Sequence, residues 1–154
     1  MSAISSMEMK NVYFGEDAIK NEGKLKMAYP VQAGHVQNWD DMEQMWDFVF
    51  KQEMRLDPRD FNVLITEALV LEAAKSKTFN REKMTQIMFE SFQVKGFFSA
   101  YQTVLSCYAN GKTGGLMIDI GDGKCSTVPI YEGTPIASAA GRNQIGGKAI
   151  NNLL

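Results

Sequence analysis

Two cysteines and a single histidine are all that this chain of 154 residues offers for thiolate or imidazole chemistry. Cys107 falls on an expected helix and Cys125 on an expected strand, at no spacing that makes a zinc or redox motif. The scarcity points to a reduced, intracellular setting. Charge of one sign is also lacking: 16 basic residues against 18 acidic ones leave a net charge of −2, with no electrostatic case for nucleic acid or an anionic membrane. No apolar run approaches the ~20 residues of a membrane-spanning helix. Met1-Ser2-Ala3-Ile4-Ser5-Ser6 lacks the basic and apolar regions of a secretory leader. What remains, 45% apolar and 22% charged, is the composition of an ordinary globular domain long enough to bury a core.

Residues 1–10 read as a mobile lead-in. Val12-Tyr13-Phe14 and Leu25-Lys26-Met27 read as short strands around a polar stretch. The first firm helix is expected from Trp39, because Asn38 can cap it and Asp40 and Asp41 suit its positive end. Met42, Met45, Trp46 and Val49 then recur at helical spacing as a buried stripe. Asn62 to Thr66 reads as a buried strand. The segment from Leu69 to Phe79 has good helix propensity, and Asn80 reads as the cap of a second helix with Met84, Ile87 and Met88 facing inward. A third helix is expected over Ser99–Ala109, with Tyr101, Val104, Leu105 and Tyr108 on one face. Asn110-Gly111 is its left-handed stop. His35, in a loop, reads as a solvated or locally bonded side chain.

The run Gly115-Leu116-Met117-Ile118-Asp119-Ile120-Gly121-Asp122-Gly123 ends an apolar strand in an acidic, glycine-flanked turn. Lys124 to Tyr131 leaves it as a second strand, and a third is expected near Pro135 to Ala139. Glycines let a turn bend tightly and leave its N–H groups open to a phosphate. Asp119 is placed to hold a cation, although turns of this kind are common as plain connections. Pro129 cannot donate to a ladder, which predicts an edge or a bulge there. From Gly146 an amphipathic helix begins, with Ile150, Leu153 and Leu154 as its first buried face.

The stretches Asn38-Trp39-Asp40-Asp41-Met42-Glu43, Thr66-Glu67-Ala68, Asn80 to Glu90 and Val128-Pro129-Ile130-Tyr131-Glu132-Gly133 closely resemble actin, in actin's order and at nearly its spacing. The chain is identified as a divergent member of the actin and actin-related family, matching a middle portion that is less than half of a family member. The resemblance implies an α/β, partial actin-like ATPase (ribonuclease-H-like) fold: a mixed sheet with flanking helices, the first half incomplete and the second only begun. It implies the later part of the first half over 11–110, and the opening strands and first helix of the second over 111–154. The Leu69–Phe79 segment is longer than the family's counterpart and lacks its prolines.

By the same resemblance, ATP would lie between the halves, Asp119 would hold magnesium through water, and Gly121, Asp122 and Gly123 would present N–H groups to the phosphates. Gln102 aligns with the glutamine that positions the attacking water, a vestigial catalytic role here. The family's first phosphate loop has no counterpart in Met1 to Lys10, and the residues enclosing adenine and ribose have no match. Ser126 replaces a water-orienting histidine, and a serine cannot carry protons as an imidazole does. The expected cofactor is therefore Mg-ATP or Mg-ADP bound weakly or not at all by the isolated chain. The expected function is that of a cytoplasmic, cytoskeletal interaction subunit without its own ATPase cycle. Its expected partners are proteins covering an exposed sheet edge and the C-terminal helix, actin or an actin-binding complex among them, with no nucleic acid and no membrane. The alternatives are an ATP-binding actin completed by another chain and a filament-capping actin mimic.

Overall fold

The computed structural model describes residues 12–32, 34–69 and 74–153. The lead-in over 1–10, residues 70–73 and Leu154 lie outside the described residues. The chain is α/β, and parallel and antiparallel pairings occur in separate sheets.

Neither early strand forms. Val12 to Phe14 is irregular, and the polar stretch after it folds as helix α1, Gly15–Lys20, and a 3₁₀ turn, Glu22–Lys24. Glu16 and Asp17 at one end of α1 and Lys20 at the other complement the helix dipole. Pairing begins instead at a small hairpin, β1 (Val31–Gln32) with β2 (His35–Val36).

Helix α2, Trp39–Phe48, starts where expected. The Asn38 side chain accepts from the N–H groups of Asp40 and Asp41 at 3.0 and 3.3 Å. The helix widens into a π turn at Val49–Glu53, which brings Phe50 into the core beside Trp46. Of the expected stripe only Trp46 is fully buried; Met42 is partly buried against the same cluster.

β3 (Asn62–Glu67), α3 (Ala74–Gln86) and β4 (Gly96–Tyr101) make a βαβ unit with β3 and β4 parallel. Asn80 is not a cap: among the described residues α3 already runs from Ala74, so the part of the helix-prone segment over 74–79 is continuous with it. Met84, Ile87 and Met88 do face inward, joining Trp46, Phe50, Phe92 and Val94 in the first core. β3 is not buried on both faces. Val63, Ile65 and Phe97 pack on that core, while Leu64 and its register partner Phe98 are 53% and 64% exposed.

The third helix is shorter than expected. Ser99 to Tyr101 belongs to β4, and α4 runs Gln102–Ala109. Helical spacing does include Tyr101, but the unpaired edge of β3 takes Ser99 and Tyr101 into its ladder, beside Ile65 and Glu67. The buried face of α4 is Thr103, Val104 and Cys107, and Tyr108 is exposed. Gly111, at φ +68°, supplies the left-handed stop.

β5 (Gly115–Ile120) and β6 (Cys125–Tyr131) form the expected antiparallel hairpin. β6 is central, because β7 (Thr134–Pro135) and β8 (Gly141–Asn143) pair along its other side. The expected third strand thus divides, and a 3₁₀ turn, Ala137–Ala139, fills part of its span. Pro129 lies in this central strand rather than at an edge. Its carbonyl accepts from Ile136 N–H at 2.8 Å; with no N–H to return, the β7 ladder ends there. Leu69, Val104, Cys107, Val128 and Ile130 form a second core that joins α4 to the hairpin.

Candidate functional site

The β5–β6 turn is closed by Gly121 N–H donating to the Lys124 carbonyl at 2.9 Å. Neither Gly121 nor Gly123 takes a positive φ, so the bend does not need glycine's left-handed freedom. A Cβ on Gly123 would meet no protein atom within 4 Å. Its bare backbone is therefore required neither by the turn nor by packing, and it leaves open the space in front of the amides. The N–H groups of Asp122 and Gly123 have no protein acceptor among the described residues. A phosphate oxygen fits such a cradle.

Behind the turn, helix α5, Gly147–Asn151, docks through its first turn. Gly147 and Lys148 N–H donate to the carbonyls of Gly121 and Asp122 at 3.0 and 2.9 Å. Gly146 has a conformation open to any residue (φ −139°), but a Cβ there would run into the same two carbonyls. Gly146→Ala is therefore expected to cost about 1–3 kcal/mol by forcing α5 off the turn. Thermal unfolding measures the loss, and faster amide exchange at Lys148 locates it. Ile150 and Leu153 are exposed, so the expected buried face of this helix is uncovered among the described residues. The reason is that α5 docks by its end.

Asp119 pairs in register with Ser126 and is half-buried, on the inward side of β5 with Met117. Ser126 is buried in the sheet. Among the described residues no three His, Cys, Asp or Glu side chains converge. A magnesium ion at Asp119 would draw most of its ligands from water and phosphate, as this ion commonly does. Gln102, at the exposed start of α4, points its amide at Thr66 Oγ1 at 3.5 Å, too long for a strong bond.

Lys124 and Arg142 reach the β1–β2 hairpin here, Arg142 through His35, and none of the three carried a role in the sequence reading. A Cβ on Gly34, in the β1–β2 loop, would lie 3.1 Å from the Lys124 ammonium. Burial first, and then the Arg142 charge, push this lysine below its ordinary range, with Asp119 opposing the shift. His35 is in β2 rather than a plain loop, and Arg142 Nη1 lies 3.3 Å from its Nε2. Arginine can only donate, so a hydrogen bond between them has Nε2 as its acceptor. Lys148 lies 5.8 Å from the centre of the Tyr29 ring. The available signal was Lys124 directly after the Gly-Asp-Gly turn. A broad groove of about 1190 Å³ lies elsewhere, between α2 and the Asp57–Arg59 turn, and contains no hairpin residue.

A parallel βαβ unit joined to an antiparallel hairpin is an α/β arrangement. The family model for actin matches residues 2–154. Actin-related protein 2 of Acanthamoeba castellanii is 36% identical over 149 residues, which is 97% of this chain and 37% of that relative. The chain belongs to the actin family. It spans little more than a third of the length of that relative.

Proposed function

We propose that this actin-family chain is a structural and interaction subunit of a larger cytoplasmic, cytoskeletal assembly and turns over no ATP of its own. The observation that carries this reading is the outer face of β5. Leu116, Ile118 and Ile120, side by side on one face, are 63%, 58% and 70% exposed. Three aliphatic side chains aligned on an edge strand form the kind of patch that association covers. The partner proposed is an actin-type chain or an actin-binding complex. No helix among the described residues is long and apolar enough to cross a membrane.

The non-catalytic half of the reading rests on the buried Ser126 and the loosely held Gln102, which supply no base and no firmly oriented amide for an attacking water. Mixing the full chain with purified actin and following co-elution and pelleting tests the association. Ile118→Lys is expected to weaken it about tenfold or more while leaving thermal stability nearly unchanged. Steady phosphate release by the purified chain, abolished by Asp119→Ala, would overturn the non-catalytic reading. A second reading, a nucleotide-binding actin completed by another chain, is favoured by the open amides of Asp122 and Gly123.

A further inference from the structure

We propose that the free edge of β5 pairs antiparallel with β5 of a second copy of this chain, in a single register, closing a two-fold dimer with one continuous sheet. The inference rests on the reading of the outer face of β5 as an association surface, and adds the partner and the way it binds.

The directions of the backbone groups define the free edge. Gly121 N–H donates to the Lys124 carbonyl, so these two are a hydrogen-bonded pair, and bonded pairs then alternate along the hairpin through Asp119, Met117 and Gly115. Pro129, opposite Leu116, turns its carbonyl away from β5 to accept from Ile136, as that alternation requires. The N–H and C=O groups of Leu116, Ile118 and Ile120 therefore point away from β6. Among the described residues no other strand pairs with β5. The same three residues supply the exposed aliphatic face, so a strand laid along this edge meets backbone bonds and apolar surface together. Edge strands are ordinarily blunted by a proline, an outward charge or a bulge. β5 has none of these: its register with β6 is unbroken, and its single charge, Asp119, lies on the inward side.

The strand complements itself. Setting Ile118 against Ile118 of the second copy puts Leu116 opposite Ile120 on both sides of the two-fold axis. All three outward-pointing residues then exchange both of their bonds. A shift of two residues either way leaves one of the three facing a residue outside β5, and the shift toward the turn also sets Asp119 against Asp119 of the second copy. Like charges directly opposite are destabilising, whereas the central register pairs Asp119 with methionine. Lys112, just before β5, and Asp122, just after it, are both exposed. Antiparallel pairing brings the Lys112 end of one copy to the Asp122 end of the other, so opposite charges meet at both ends. β7 and β8 already line the far side of β6, so pairing through β5 is isologous and stops at two copies.

The full chain is followed by size-exclusion chromatography with light scattering over a dilution series. Cysteine variants are oxidised, and the linked peptides are identified by mass spectrometry. The expected result is a monomer that becomes a dimer as concentration rises. Ile118→Cys should link to itself, because the paired Cα atoms stand about 5.5 Å apart. Ile120→Cys should not, its two Cα atoms being about 14 Å apart, yet it should link to Leu116→Cys when the two variants are mixed. Ile118→Pro removes an N–H that β6 does not use. It should weaken the dimer at least about tenfold while the diluted monomer keeps the amide protection of the β5–β6 ladder. A dimer in which Ile120→Cys links to itself, or one indifferent to Ile118→Pro, would overturn the strand pairing. A monomer at every concentration would overturn the second copy as partner. If that monomer still co-elutes with actin and Ile118→Lys abolishes the association, the reading of the β5 face stands without the dimer; if it does not co-elute, both fall.

Discussion

Replacing Met88 with alanine is expected to remove about 2–5 kcal/mol of stability. Met88 is 0% exposed and sits in the first core with Trp46, Phe50, Met84, Ile87, Phe92 and Val94. It leaves the chain in the π turn Ile87–Ser91, just where α3 ends. The cluster ties α2 to the βαβ unit, and the Phe50 and Phe92 rings meet edge-on at 5.2 Å. Neighbours drawn from separate elements and interlocked in this way cannot readily collapse into the space that a shortened side chain leaves. A loss of this size is a large share of the stability of an ordinary domain. Urea unfolding followed by tryptophan fluorescence reads it directly, because Trp46 is a neighbour. A loss below about 1 kcal/mol would show that the core repacks around the gap.

Val128→Asp is expected to cost about 3–5 kcal/mol and to undo the hairpin, because it places an unpaired charge in a site with no polar partner. Val128 is 0% exposed and packs among Val104, Cys107 and Ile130. Hydrogen exchange should show β5, β6 and α4 losing protection together. The same substitution at Ile118, on the opposite face of the adjacent strand, should change stability by less than about 0.5 kcal/mol, since that side chain already meets solvent. The contrast tests which face of the hairpin is core. Equal losses at both positions would contradict the structure.

Legibility in the sequence followed the range of the forces involved. The start of α2 was plain because the Asn38 cap and the residues it bonds are adjacent in the chain. Gly111 and the β5–β6 hairpin were plain for the same reason. The inward set Met84, Ile87 and Met88 was readable from periodicity alone. β4 was missed because its pairing partner, β3, is more than thirty residues away, and nothing local in Ser99 to Tyr101 separates strand from helix. Ionic order in the βαβ unit was equally hidden: Arg81 of α3 pairs with Glu67 of β3 and lies 4.9 Å from the centre of the Tyr101 ring.

The site divides along the same line. Gly121, Asp122, Gly123 and Asp119 stood out as residue types in a pattern. That Gly146 is pressed against the turn, and that Lys124 reaches the Gly34 loop, depends on segments far apart in sequence.

By itself, then, the sequence determined the capped helix, the acid-flanked hairpin, the apolar sets that could form cores and the resemblance to actin. All of these rest on neighbours within a few positions or on residue order. Only the tertiary structure decided which faces of those elements are buried, which strand is central, and that the Lys124 ammonium is brought against the Gly34 loop. Those outcomes come from packing and pairing between distant segments, where free energy is set by what each surface meets rather than by the residue that presents it.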